Sequence, residues 1–346
     1  MPTRWRRLRP LVGLACVAVA ASGCDFTPVL DIPLPEHQPG LVLHGLLVAD
    51  STVTLTVRRS QDPYTYPSAA ESNGTPPDVT VELVRGGAVV EALRLRSETC
   101  VDYTYVGGDP LGEPEFAETP YECGRFVSES RIAAGETYTV RARVGGGNRA
   151  EATVTVPARV DVSEVAETGR SVSFRLRDPD GLGQRYAVQL APVNQTYSDT
   201  YVECDHSTGR PTNCRDTTVT STSTYVPPFT TRDPLLLAAS RLPSDRELDF
   251  VTFDDRAFDG QERAFTLELA GVGPRSVWVV ALDPESYQAY QATYFSLGED
   301  NPFEEPANLP SNVVGGYGLV GGAVIHDRAL PHWDCERDGA ACPETF

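Results

Sequence analysis

Thr137-Tyr138-Thr139-Val140-Arg141-Ala142-Arg143-Val144, followed by Gly145-Gly146-Gly147-Asn148, decides the fold class. Tyr138, Val140, Ala142 and Val144 alternate with Thr139, Arg141 and Arg143, the period-2 pattern of a strand with one buried face. The glycines then turn the chain into Ala152, Val154 and Val156. Upstream the pattern repeats: Val53, Leu55 and Val57 lie opposite Thr52, Thr54, Thr56 and Arg58, and Val79, Val81 and Leu83 follow suit. Gly86-Gly87 supplies a hairpin turn toward Leu93 and Leu95. With residues 41–48 and a strand near 124–130, about seven short strands precede Pro157, which predicts an immunoglobulin-like β-sandwich over 40–157.

A second β-rich domain is expected over 158–346. Val172, Phe174 and Leu176 share a face, Asp178-Pro179-Asp180-Gly181 is a turn, and Tyr186, Val188 and Leu190 resume the alternation. Residues 192–246 are polar and rich in Thr and Ser, which predicts a long exposed hairpin pinned by Cys204 and Cys214. Residues 277–282 (VWVVAL) are apolar on both faces, as in a central strand. The one expected helix spans about 284–297, with Pro284 in its first turn and Tyr287, Tyr290 and Tyr294 on one stripe. The Gly-rich run Gly315–Gly322 fits closely packed backbone and lacks the Lys of a phosphate-binding loop. The fold class is therefore mainly β: two β-sandwich-like domains, the first immunoglobulin-like, with one short helix in the second.

Outside this body, residues 1–23 read as a lipoprotein signal peptide. Arg4, Arg6, Arg7 and Arg9 precede an apolar run from Leu11 to Ala21. That run is too short for a membrane-spanning helix, which needs ~20 residues. It ends in Ala21-Ser22-Gly23-Cys24, a lipobox whose small residues admit a peptidase and whose Cys24 thiol takes the lipid. Residues 24–39 then carry Pro28, Pro33, Pro35 and Pro39, a semi-rigid tether reaching about 45 Å at ~3.1 Å per residue. Two or three acyl chains would anchor the protein to a membrane.

The chain has 346 residues and a formal net charge of −19, and every basic residue is Arg. Nucleic acid is excluded as a partner, since a duplex binder needs a cationic face. A carboxylate-rich surface of this kind suits life in high salt or follows from a GC-rich genome. Apart from Cys16 in the signal and Cys24, the cysteines are Cys100, Cys123, Cys204, Cys214, Cys335 and Cys342. Their number, their clustering in couples and the exported context predict disulfides Cys100–Cys123, Cys204–Cys214 and Cys335–Cys342. No couple has the spacing of a zinc site.

Neither a H-E-x-x-H nor a G-x-S-x-G motif occurs, and His37, His44, His206, His326 and His332 are dispersed. No catalytic residue, enzyme activity or cofactor is expected. The acidic run Asp249, Asp254, Asp255, Asp259 and Glu262 is the best metal candidate, with Asp254, Asp255 and Asp259 the calcium candidates. It matches no EF-hand, and solvated carboxylates are the default reading, so no metal centre is expected. Tyr103, Tyr105, Tyr197, Tyr201 and Tyr225 fall in expected loops, where exposed Tyr can bind a glycan or peptide.

The order of landmarks also resembles a known family. After Cys24 and its tether come Leu41-Val42-Leu43-His44-Gly45-Leu46-Leu47, Asp50-Ser51, and Ala134-Gly135-Glu136-Thr137-Tyr138 leading to Val156-Pro157. Phe174 to Asp178-Pro179, Phe253-Asp254-Asp255 and Phe258-Asp259-Gly260 follow. The last are Asn301-Pro302-Phe303-Glu304-Glu305-Pro306, Ser311-Asn312-Val313 and Gly315-Gly316-Tyr317-Gly318. The set resembles outer-membrane lipoproteins of domain-of-unknown-function family 4249. The resemblance implies a lipid-anchored envelope protein beside a TonB-dependent receptor, on the periplasmic face or the cell surface, and no reaction. The rival readings are an envelope hydrolase acting on glycan or peptide, and a structural or adhesive surface module.

Overall fold

A computed structural model describes residues 38–62, 74–107, 115–145, 147–168, 170–205, 212–240, 247–269, 276–296 and 309–330. The first part of the body runs through β1 (Leu41–Val48), β2 (Thr52–Arg59), β3 (Val79–Arg85), β4 (Ala88–Ala92), β5 (Arg94–Gly107), β6 (Glu115–Arg131), β7 (Thr137–Val144) and β8 (Arg149–Thr155). It continues through β9 (Asp161–Thr168), β10 (Ser171–Arg177), β11 (Arg185–Leu190), β12 (Val193–Asp205), β13 (Thr212–Tyr225) and β14 (Phe229–Thr231). Helix α1 (Pro234–Ser240), β15 (Phe250–Asp254), β16 (Glu262–Leu269), β17 (Ser276–Leu282), α2 (Pro284–Ser296), β18 (Val313–Val314) and β19 (Gly316–Ala329) complete it.

The protein is mainly β and sandwich-like. Among the described residues, eight strands form one sheet in the order β15-β11-β17-β19-β1-β2-β6-β5. A five-stranded sheet, β18-β8-β7-β3-β4, a four-stranded sheet, β14-β16-β10-β9, and the β12-β13 pair make up the rest. One apolar cluster joins the large sheet to both smaller ones. It takes Leu43, Leu55 and Val57 from the large sheet, Val140 and Val154 from the five-stranded sheet, and Phe174 and Phe265 from the four-stranded sheet. The alternation that predicted these strands is the burial pattern itself: β7 buries Tyr138, Val140 and Ala142 and turns Thr139, Arg141 and Arg143 outward.

The expected boundary at 157 falls between β8 and β9, and chain on both sides of it builds the same sheet. β1 pairs in parallel with β19, from Leu41 opposite Gly316 to Val48 opposite Ala323. The Gly-rich run makes this possible. A Cβ on Gly316 or Gly318 would overlap the carbonyl of Leu41 or Leu43, and one on Gly322 would lie 2.9 Å from Val154 Cγ1. Residues Pro39–Phe346 accordingly form one compact unit.

The 192–246 segment differs from its expectation. β12 and β13 do form a hairpin, with Ser198 and Thr200 hydroxyls paired to Thr220 and Thr218 across it. Beyond Tyr225, however, the chain returns to the core: Phe229 and Leu236 are fully buried, and α1 adds a second helix that Pro234 and the polar surroundings concealed. α2 starts where expected. Asp283 caps it, its Oδ1 accepting the Ser286 N–H at 3.0 Å, with Pro284 in the first turn. Tyr287 packs on Ala187, Val280, Leu282 and Ala323, and Tyr290 meets Phe250 edge-on at 5.5 Å, so these two tyrosines are packing groups. The Tyr294 side chain lies outside the described residues.

Candidate functional site

Among the described residues, two places gather chemistry. The first is a groove on the outward face of the large sheet, where β1 and β2 meet the β5–β6 ribbon. The alternation that buries Leu43, Leu55 and Val57 turns His44, Thr54, Thr56 and Arg58 to the other face. The ribbon adds Tyr121, Arg125 and the disulfide Cys100–Cys123, enclosing about 430 Å³. Cys100 and Cys123 lie two pairs apart across the ladder, a diagonal on one face, with Cα atoms 5.8 Å apart, so the sheet register brings the thiols together. Arg125 Nε donates to Glu98 Oε1 at 2.9 Å. The groove thus offers an imidazole, guanidinium donors, hydroxyls and one phenol ring, a set suited to a polar ligand.

The second place is acidic. The β10–β11 turn and the β15–β16 connection exchange hydrogen bonds. Asp178 Oδ2 accepts the Gly260 N–H at 3.0 Å, and Asp259 Oδ1 accepts the Gly181 N–H at 2.8 Å. Asp255 Oδ2 accepts the N–H groups of Gly183 and Gln184 at 2.8 and 3.0 Å. Gly260 and Gly181 have positive φ, which lets backbone N–H groups point at these carboxylates. One oxygen from each of Asp178, Asp255 and Asp259 lies within 4.8 Å of the others. Tyr186 donates its hydroxyl to Asp178 Oδ1. Burial pushes the Asp178 carboxyl above the usual carboxylate range, against the pull of the Tyr186 and Gly260 hydrogen bonds, and the Asp255 and Asp259 charges push the same way. Burial, with the Asp178 contact, likewise raises the Tyr186 phenol.

Sequence reasoning named Asp255 and Asp259 and missed Asp178. Its Asp178-Pro179-Asp180-Gly181 signature is that of a turn, and the acidic partner lies far along the chain. Asp254 does not join the cluster. Its Oδ1 accepts the Arg256 N–H at 3.3 Å, capping a short 3-10 turn (Asp255–Ala257), and its Oδ2 pairs with Arg256 at 2.9 Å. Asp254 stays half-buried at the extended cap position, while Asp255, the first residue of the turn, is buried. The tyrosines expected in loops lie in strands instead: Tyr103 in β5, Tyr197 and Tyr201 in β12, and Tyr225 at the end of β13. Tyr103 is exposed. The Tyr105, Tyr197 and Tyr201 side chains lie outside the described residues.

His44 is exposed in β1 and His326 is buried in β19. Cys214 is disulfide-bonded. Cys24, Cys335 and Cys342, the Cys204 side chain, and the landmark at 301–306 lie outside the described residues. Among those described, no helix is long and apolar enough to cross a membrane. No family model, curated protein or solved structure matches the chain.

Proposed function

We propose that this chain is a lipid-anchored cell-envelope protein, acylated at Cys24, that serves as a non-enzymatic binding or accessory partner of a TonB-dependent outer-membrane receptor. The observation that carries the anchoring is Ala21-Ser22-Gly23-Cys24 at the end of a short apolar run behind four arginines. The Cys100–Cys123 disulfide supports an oxidising compartment. The receptor association rests on the ordered likeness to family 4249. The groove beside that disulfide is the surface assigned to a glycan or peptide ligand, held by Arg58, His44 and the Tyr121 ring.

Mass spectrometry of the membrane-extracted protein tests the anchor. The expected species begins at Cys24 and carries a diacylglyceryl group, and Cys24→Ala abolishes both processing and palmitate incorporation. An intact, unmodified N-terminus on a cytosolic species overturns the reading. Affinity purification of the tagged protein from detergent-solubilised membranes is expected to recover a barrel receptor; recovery of none on repetition removes the receptor association.

A further inference from the structure

The acidic cluster holds more than a structural exchange of hydrogen bonds requires. Asp255 is 1% exposed, yet its Oδ1 is buried without a hydrogen-bond partner. Buried carboxylate oxygens ordinarily find a partner. A second buried oxygen without a partner, the carboxamide Oε1 of Gln184, belongs to the residue whose N–H holds Asp255 Oδ2. Among the described residues, no Arg forms an ion pair with Asp178, Asp255 or Asp259, although Arg175 in β10, Arg256 just after β15 and Arg263 in β16 each pair with another carboxylate. Three carboxylates therefore face one another with only backbone N–H dipoles and one phenol to offset them.

We propose that Asp178, Asp255 and Asp259 bind a calcium ion that clamps the β10–β11 turn to the β15–β16 connection. The donors are all oxygen and include neither His nor Cys, which selects a hard cation over zinc or copper. Oxygens up to 4.8 Å apart fit around one ion at calcium's ligand distance of about 2.4 Å, wider than the ~2.1 Å reach of magnesium. Asp259 is half-buried and gives the ion its way in. Asp180 stands close by, since a Cβ on Gly260 would lie 2.5 Å from its Oδ1. The orphaned Asp255 oxygen becomes a ligand, and the mutual repulsion becomes the binding force.

The test uses the full chain in detergent, stripped with chelator and held at constant ionic strength, titrated calorimetrically with calcium or magnesium chloride. One calcium per chain is expected, with a dissociation constant at or below about 1 mM, the range of extracellular calcium modules. Calcium is also expected to raise the melting temperature more than magnesium does. Asp259→Asn, at a position open enough to leave folding intact, is expected to weaken binding about tenfold or more. Asp254→Asn, outside the cluster, is expected to bind like wild type. No heat and no melting shift with calcium would overturn the site. Equal shifts from magnesium would overturn it as general screening of an acidic chain. A chelated Asp255→Asn protein more stable than wild type, with calcium inert toward wild type, would mean that Oδ1 awaits a proton and not a metal.

Discussion

The Nε2 of His326, in the last long strand, accepts the backbone N–H of Val160 at 3.3 Å, across 166 residues of sequence. Two residues on, Arg328 Nε donates to the carbonyl of Val162 at 2.8 Å. β19 therefore clasps the start of β9 as well as pairing with β1. Burial first, then the charges of Arg328 and Arg159, hold the His326 pKa below its ordinary 6.5, with Asp161 opposing them. The folded protein thus favours neutral His326, while the unfolded chain takes up a proton below about pH 6.5. Stability from this group is present above that pH and is lost as pH falls toward the lowered folded value. Protonation also removes the acceptor for a buried N–H, a loss of about 1–3 kcal/mol. Urea unfolding of wild type and His326→Gln from about pH 8 to pH 5 checks it, because Gln keeps an acceptor and removes the titration. The wild-type curve is expected to fall away from the variant's below about pH 6.5; parallel curves would refute the assignment.

Gly318 and Gly87 both have positive φ, +101 and +82, but only Gly318 faces another strand's backbone, the Leu43 carbonyl. Alanine at either position costs roughly 1–2 kcal/mol of backbone strain. At Gly87 nothing lies within 4 Å, so that is the whole cost. At Gly318 the methyl must also push β1 and β19 apart. Gly318→Ala is expected to lose at least twice the stability lost by Gly87→Ala, or to fail to fold. Equal losses by chemical denaturation would mean that the parallel pairing tolerates a side chain.

The alternation in Thr137–Val156 told which residues face the core, and the Gly-rich run told that backbone packs closely there. Neither told what the partner was. A period-2 pattern assigns a face to each residue but leaves its neighbour strand open, so the β1–β19 pairing and the shared sheet were not legible. β6 was longer than its apolar signal because Pro120 argues against strand. β2 pairs with β6 only near Phe126, Val127 and Arg131, leaving Pro120 in a two-stranded stretch where one strand edge needs no partner. At the acidic site the run after Asp254 was visible, whereas Asp178 enters by tertiary contact alone.

Phe265 is fully buried, its ring 5.3 Å from Phe174, 5.2 Å from Phe253 and 5.9 Å from Phe258. It links β10 and β16 of the four-stranded sheet to β15 of the large sheet. Phe265→Ala leaves a cavity among rings that cannot collapse and is expected to cost about 3–5 kcal/mol in urea unfolding. Val202→Ala, 61% exposed on the β12–β13 hairpin, should stay within about 0.5 kcal/mol of wild type. A Phe265→Ala loss no larger than that of Val202→Ala would mean that the two sheets do not share this core.

The charge pattern makes opposing demands on salt. Arg141 sits between Glu82 and Glu151, at 3.6 and 2.8 Å, in a row across β3, β7 and β8. Arg175 likewise joins Glu164 on β9 to Glu262, at 2.7 Å, on β16. Salt weakens such pairs, but pairs open to solvent contribute little each. Against them stands a net charge of −19, with 48 acids facing 29 arginines. Repulsion over the whole surface extends beyond a contact distance, so shortening the Debye length from about 30 Å at 0.01 M to about 3 Å at 1 M relieves it more than it costs the pairs. The urea midpoint in chelator is therefore expected to rise with sodium chloride across that range. Arg141→Gln should lose more stability at low salt than at high, because its two glutamates then add to the repulsion. A flat or falling midpoint for the wild type would show that the arginine rows, not the excess acids, set the balance.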